Sequence, residues 1–223
     1  MAAEPTDDLG VLAPIDAMMH PYREEVATLE KLPVKGRPRH EVLSELTLLR
    51  SLEDARWKDG FASGAVYHGG DEHVEFLLKA YAIHSQVNPL HSDLWPSAAK
   101  FEAEIVSMTA HMLGAGETSA PFGSEEGVCG SVASGGSESI LLAMKSYRDR
   151  AREQKGITEP EMVLPVSAHA AFYKAAQYFC IKPVTVPLDR EFRADVSAVA
   201  DAVNKNTVAV VASAVNFPYG TIE

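Results

Sequence analysis

The spacing of apolar positions predicts helices in the first half of the chain. Apolar residues recur at helical intervals in four segments, 21–32, 38–57, 72–87 and 97–116. The second segment has the clearest apolar stripe, which includes Leu43, Leu46 and Leu49. Glycine-rich or proline-bounded stretches at 58–71 and 88–96 separate these segments and are predicted to be structured loops.

The pattern changes after residue 128, where short apolar runs begin to alternate with helical ones. We predict strands at 161–168, 181–188 and 207–215, and helices at 137–155, 169–180 and 195–206. Strands linked by helices form parallel sheets with helices packed on both faces. The fold class is therefore predicted to be α/β.

Three regions follow from these patterns. We expect a loosely held arm over 1–19, a helical segment over 20–116 and the first part of a large α/β domain over 117–223. The strand at 207–215 should have neighbours on both edges, yet few residues follow it. We therefore expect a chain that is truncated within its large domain.

Composition narrows the class of protein. The net charge of −11 argues against a nucleic-acid partner, which would require a basic surface. No apolar run is long enough to cross a bilayer, and residues 1–20 lack the layout of a signal peptide. The two cysteines form neither a disulfide framework nor a metal-binding pattern, so no metal is expected. These features indicate a cytoplasmic protein without a transmembrane segment.

The stretch "GSVASGGSESI", residues 130–140, contains a candidate anion site. The first amides of a helix have no internal partner and carry partial positive charge, and glycines let a phosphate approach them. Ser134, Gly135, Gly136 and Ser137 would supply such a site. The stretch matches neither the dinucleotide-binding nor the nucleotide-triphosphate glycine motif. A simple glycine bend before a helix explains it equally well.

His169 opens the helix that directly follows the strand at 161–168. It would therefore lie at the same edge of the sheet as the glycine stretch. An isolated histidine at this place is more often a helix cap or a half-buried side chain. Beside a phosphate site, however, its flat ring could lie against a planar cofactor.

Several segments together resemble the pyridoxal-phosphate (PLP)-dependent group II decarboxylase superfamily of fold-type I. The segments are 131–149, 167–179 and 216–222. Within that superfamily, residues 61–106, with "SGAVY" and "NPLHSDLWP", resemble the sphingosine-1-phosphate lyases in particular. The resemblance extends from about residue 35 to the last residue.

The resemblance implies a PLP site. The cofactor phosphate would be held by Ser134, Gly135, Gly136 and Ser137. His169 would stack on the pyridine ring as a catalytic residue, and Ser213 would place a hydroxyl near the cofactor.

The resemblance also implies a substrate-phosphate site, formed partly across a homodimer interface by Tyr67, Asn88 and His91. Each of these residues has a structural alternative. Tyr67 could pack over the glycine-rich loop, Asn88 could be a turn residue and His91 could cap the following segment. Their joint spacing favours the functional interpretation.

The implied activity is PLP-dependent cleavage of a phosphorylated sphingoid base to a long-chain aldehyde and phosphoethanolamine. The family's Schiff-base lysine and its pyridine-binding aspartate would follow residue 223, and none of the chain's lysines lies in the family's His-Lys context. We therefore expect the chain alone to be inactive. Two alternatives remain: a group II amino-acid decarboxylase, and an inactive half-chain that binds only an anion or a family partner.

Overall fold

The structure is a computed structural model that describes residues 12–53, 56–61, 66–115 and 127–223. The chain divides into two compact units, 1–86 and 87–223. Residues 12–19 form a helix, α1 (Leu12–Met19), within the segment that was expected to be a loose arm. The predicted boundary at 116/117 and the first eleven residues lie outside the described residues.

The first unit contains two longer helices, α2 (Arg39–Leu52) and α3 (Asp71–His84), and a short 3₁₀ helix, Arg56–Asp59. The predicted helix at 21–32 is wrong, because residues 21–26 form turns and 27–30 have no regular structure. Leu29 and Leu32 remain exposed, so no burial stabilises a helix there. Instead, the Arg23 guanidinium binds the Asp16 carboxylate at 2.6 and 2.9 Å.

The second unit begins with α4 (Pro96–Met112) and continues as an α/β structure. Its remaining elements, in chain order, are α5 (Gly136–Lys155), β1 (Glu161–Pro165), α6 (Ala170–Phe179), β2 (Lys182–Val186), α7 (Val196–Ala202) and β3 (Thr207–Val210). Within the described residues, the three strands form one parallel sheet in the order β2-β1-β3. The predicted parallel α/β fold is confirmed.

The core lies on both faces of the central strand, β1. Met162 and Leu164 pack into a buried cluster that also contains Met144 of α5 and Ala175 of α6. Val163, between them in sequence, is equally buried and faces the opposite side of the pleat, where α7 contacts β1 and β2. Right-handed crossovers also place α6 and α7 on opposite faces of a sheet in this order.

The elements are shorter than their apolar runs predicted. β1 ends at Pro165 and β3 at Val210, three and five residues before their predicted ends. One further backbone bond continues each pairing, from the Val166 N–H to the Val186 carbonyl at 3.1 Å and from the Val211 N–H to the Val163 carbonyl at 2.9 Å, before the chain leaves the sheet. Helix α7 ends at Ala202, and the Asn204 N–H then donates to the Thr207 hydroxyl at 2.9 Å.

Helix α5 runs opposite to the strands. Tyr147 and Ala151, in its second half, line a surface pocket with Thr207 and Val208 at the amino end of β3. The first turn of α5 therefore points toward the carboxyl edge of the sheet. Among the described helices, none has the length and apolarity needed to span a membrane.

Candidate functional site

The glycine pair lies where α5 begins. Gly135 is the N-cap residue and has a φ of 167°, an extended conformation open to any residue. A Cβ atom added to Gly135 or Gly136 would meet no atom within 4 Å. Neither conformation nor packing in the described structure therefore requires glycine at these two positions. Their effect is to leave the start of the helix open to solvent.

The first amides of α5 are unused. The backbone N–H groups of Gly136, Ser137 and Glu138 have no hydrogen-bond partner within the part of the chain that the structure describes. The first helical bond runs from the Ser139 N–H to the Gly135 carbonyl at 3.0 Å. Three free donors at the positive end of a 20-residue helix form a favourable environment for an anion.

Glu138 holds the loop that leads into the helix. Its carboxylate accepts the Ser134 N–H at 2.6 Å. Hydrogen bonds from the side chain and the backbone of Ser134 hold the pKa of Glu138 below its ordinary value of 4.5. Ser134 therefore shapes the loop, since its N–H is already taken. Glu138 was not among the residues predicted from the sequence, although an acidic residue three positions after the N-cap is a known capping signal.

His169 is the N-cap residue of α6, just beyond β1. Its Nδ1 accepts the Ala171 N–H at 3.1 Å, so a neutral ring carries its proton on Nε2. The residue is exposed at the carboxyl edge of the sheet. His169 is thus a helix cap, as the structural alternative supposed. The cap leaves the ring accessible and favours the tautomer with its proton on Nε2.

Ser213 follows β3 at the same edge of the sheet. Its N–H donates to the Glu223 carboxylate at 3.0 Å, and its hydroxyl has no hydrogen-bond partner among the described residues. Glu223 also accepts the hydroxyl of Ser167, which precedes His169 by two residues, at 2.7 Å. The candidate cofactor residues therefore lie on loops at one edge of one sheet, and Glu223 links two of those loops.

Asn88 and His91 lie together in the turn before α4. The Asn88 side-chain oxygen accepts the Leu90 N–H at 3.1 Å, and its backbone carbonyl accepts the His91 N–H at 3.0 Å. Asn88 is thus a turn residue, as the alternative supposed, but its side-chain NH₂ stays available. The His91 ring is exposed and makes no hydrogen bond within the described residues.

Tyr67 belongs to the first compact unit, whereas Asn88 and His91 belong to the second. Its side chain is fully exposed, so it does not pack over the described part of its glycine-rich loop. Residues 62–65 of that loop lie outside the described residues.

The donor set at the sheet edge fits a phosphate ester that carries a flat ring. Unpartnered amides and the hydroxyl of Ser137 suit the anion, and an accessible imidazole suits the ring. In the described residues, no cluster of three or more metal-ligating side chains occurs.

Comparisons with known proteins identify close relatives. The chain is 47% identical to the sphingosine-1-phosphate lyase of Arabidopsis thaliana over 197 residues, which cover 87% of this chain and 35% of that protein. It is 45% identical to sphingosine-1-phosphate lyase 1 of Mus musculus over 195 residues, or 87% of this chain and 32% of the relative. No family model matches the chain.

A solved structure of the sphingosine-1-phosphate lyase of Burkholderia pseudomallei superposes with a TM-score of 0.83 and 42% sequence identity. The superposition covers 92% of this chain and 46% of that structure. Glutamate decarboxylase of Lactobacillus brevis shares the fold at 21% identity, with a TM-score of 0.67 over 90% of this chain and 45% of that structure. The chain spans about a third of the length of the curated relatives it matches.

Proposed function

We infer that this chain belongs to the sphingosine-1-phosphate lyase family and forms part of an enzyme that cleaves phosphorylated sphingoid bases with PLP. The full-length protein, meaning this chain together with the remainder of the family's length, would carry the activity. The products would be a long-chain aldehyde and phosphoethanolamine. Identities of 47% and 45% to two such lyases support the substrate class.

The observation that carries the cofactor proposal is the open start of α5. Gly135 and Gly136 serve no conformational or packing purpose in the described fold, and the amides of Gly136, Ser137 and Glu138 have no hydrogen-bond partner among the described residues. A bound phosphate would explain both the glycine pair and the unpartnered amides, because it needs free N–H donors and close approach to the backbone.

The chain's own residues would hold and orient the cofactor. The amides of Gly136, Ser137 and Glu138 would bind its phosphate, and the Ser137 hydroxyl would add a donor. The His169 ring would lie on the pyridine, kept in one tautomer by its bond to the Ala171 N–H. Ser213 would offer a hydroxyl at the same edge. Bound PLP supplies an electron sink for the pair released when the substrate bond breaks.

The net reaction balances without a further reactant. The proton of the substrate's 3-hydroxyl leaves, the C3–O bond becomes a carbonyl, the C2–C3 bond breaks and C2 gains a proton. The remaining fragment is phosphoethanolamine, which keeps the phosphate throughout.

A second anion site is therefore required for the substrate. We assign it to the side-chain amide of Asn88 and the ring of His91, which lie in one turn and are both exposed. The role of Tyr67 and a shared site in a homodimer remain proposals that rest on the resemblance alone. A cytoplasmic location likewise remains a prediction.

Product analysis tests the proposed activity. Full-length protein loaded with PLP should convert a phosphorylated sphingoid base to a fatty aldehyde and phosphoethanolamine, both quantified by mass spectrometry. Glutamate and aromatic amino acids should release no carbon dioxide. Carbon dioxide release without aldehyde formation would instead identify an amino-acid decarboxylase. Turnover of neither class would favour an inactive member of the family.

A further inference from the structure

We propose that Glu223 is a positioning residue that sets the spacing between the loop of His169 and the loop of Ser213, and thereby seats the cofactor ring. This inference rests on the proposed PLP site. Glu223 itself touches neither the proposed phosphate loop nor the His169 ring; it would act through the residues it binds.

The Glu223 carboxylate receives three hydrogen bonds from three places in the chain. Oε1 accepts the Ser167 hydroxyl at 2.7 Å and the Asn216 side-chain N–H at 2.8 Å, while Oε2 accepts the Ser213 N–H at 3.0 Å. The Glu223 N–H in turn donates to the Ser213 carbonyl at 3.1 Å. Both carboxylate oxygens are thus engaged as hydrogen-bond acceptors.

Two of these partners belong to the loops that bear proposed site residues. Ser167 follows β1 and precedes His169 by two residues, and Ser213 follows β3. The two strands are adjacent in the sheet, yet their backbones stop pairing before these loops. The Glu223 carboxylate therefore connects the two loops beyond the point where the strands stop pairing.

The third partner anchors the carboxylate to the fold. Asn216 is only 1% exposed, which makes it a buried polar side chain that requires a partner. Its backbone N–H donates to the Thr221 carbonyl at 2.7 Å, and the Thr221 hydroxyl donates to the Phe192 carbonyl at 3.0 Å. Residues 216–223 therefore form a closed, internally bonded turn that presents the carboxylate in one place.

The chain offers a matched control at the other end of the same strand. Glu161, at the amino end of β1, has a side chain that is only 13% exposed. Its carboxylate accepts Lys182 Nζ at 2.8 Å and the Asn204 side-chain N–H at 2.7 Å. It thus resembles Glu223 in bonding but lies at the edge away from the proposed site.

The test compares E223Q with E161Q in the full-length protein. E223Q replaces one carboxylate oxygen, an acceptor, with an NH₂ group, a donor. In one orientation this NH₂ group opposes the Ser213 N–H, and in the other it opposes the donors from Ser167 and Asn216. We expect the Kd for PLP to rise about tenfold, and the circular dichroism of the cofactor absorption band to change as the ring shifts. E161Q should leave the Kd within about twofold and the band unchanged, even if both variants lower the apoprotein Tm.

A second variant keeps the test decisive if E223Q fails to fold. S167A removes only the hydroxyl that joins the His169 loop to Glu223, so it should raise the Kd for PLP by a smaller factor and alter the same dichroism band. Wild-type Kd and dichroism in E223Q, or in S167A where E223Q does not fold, would overturn the positioning role. Wild-type protein that fails to bind PLP would overturn the proposed function itself, a separate result.

Discussion

His169 has one observed and one proposed role, and substitution can separate them. Its Nδ1 caps α6 through the Ala171 N–H, while its ring face is proposed to contact the cofactor. Asparagine also caps helices well but has no ring, whereas alanine has neither a capping side chain nor a ring. H169N should therefore keep the apoprotein Tm and raise the Kd for PLP at least tenfold, and H169A should in addition lose about 1 kcal/mol of stability through the cap.

Titration of PLP against apoprotein, followed by thermal melting, separates these effects. Wild-type affinity in H169N, together with weakened binding in H169A, would show that only the cap matters. The ring would then have no place in the site.

His91 is proposed to serve the substrate rather than the cofactor. H91A in the full-length protein should raise KM for the phosphorylated sphingoid base about tenfold or more, because a donor to its phosphate is lost. The PLP absorbance should be unchanged. His111, whose ring bonds to the Ser107 carbonyl near the end of the following helix, offers a control: H111A should alter neither quantity. Equal loss of cofactor absorbance in H91A would remove it from the substrate site.

Single residues also show where sequence reasoning stops. Ser134, Gly135, Gly136 and Ser137 could be selected from their place before a helix, because that requires only local pattern. Glu223 could not, since its partners Ser167 and Ser213 are 56 and 10 residues away and no spacing rule joins them. Only the three-dimensional path of the loops brings these groups together.

Helix α5 allows a direct test of the proposed phosphate site at its start. G136A adds a methyl group where the described structure has no atom within 4 Å, and alanine favours a helix over glycine by up to about 1 kcal/mol. The apoprotein Tm should therefore hold or rise. The Kd for PLP should nevertheless rise at least tenfold, because the methyl group occupies the proposed phosphate position.

The other end of the same helix provides the opposite control. Gly156 has a φ of 66°, which an alanine adopts only with strain. G156A should lower the Tm and leave the Kd for PLP unchanged. If G136A bound PLP as tightly as wild type, the open helix start would not be the phosphate site.

The α/β elements were predicted well because strand and helix periodicities differ strongly there, and the parallel sheet followed from their alternation. Their ends were predicted less well, since β1 and β3 stop before their apolar runs do, and the Ser213 N–H beyond β3 bonds to the Glu223 carboxylate rather than to a neighbouring strand. The helix expected over 21–32 failed for a different reason. Periodicity signals an apolar face, but Leu29 and Leu32 remain 61% and 94% exposed.

The whole chain spans about a third of the length of the curated relatives it matches. The two longer helices of the first unit, α2 and α3, contain no buried residue. The described part of the second unit has a core around β1 and places the candidate cofactor residues at the carboxyl edge of its sheet. The cofactor proposal therefore depends on the second unit, whose described residues supply the proposed phosphate donors.

A crystal structure of the full-length protein grown with PLP would show whether the start of α5 binds the cofactor phosphate. We predict phosphate oxygens about 3 Å from the amides of Gly136 and Ser137, with the His169 ring against the pyridine face. A phosphate bound elsewhere, with only solvent at the start of α5, would contradict this prediction.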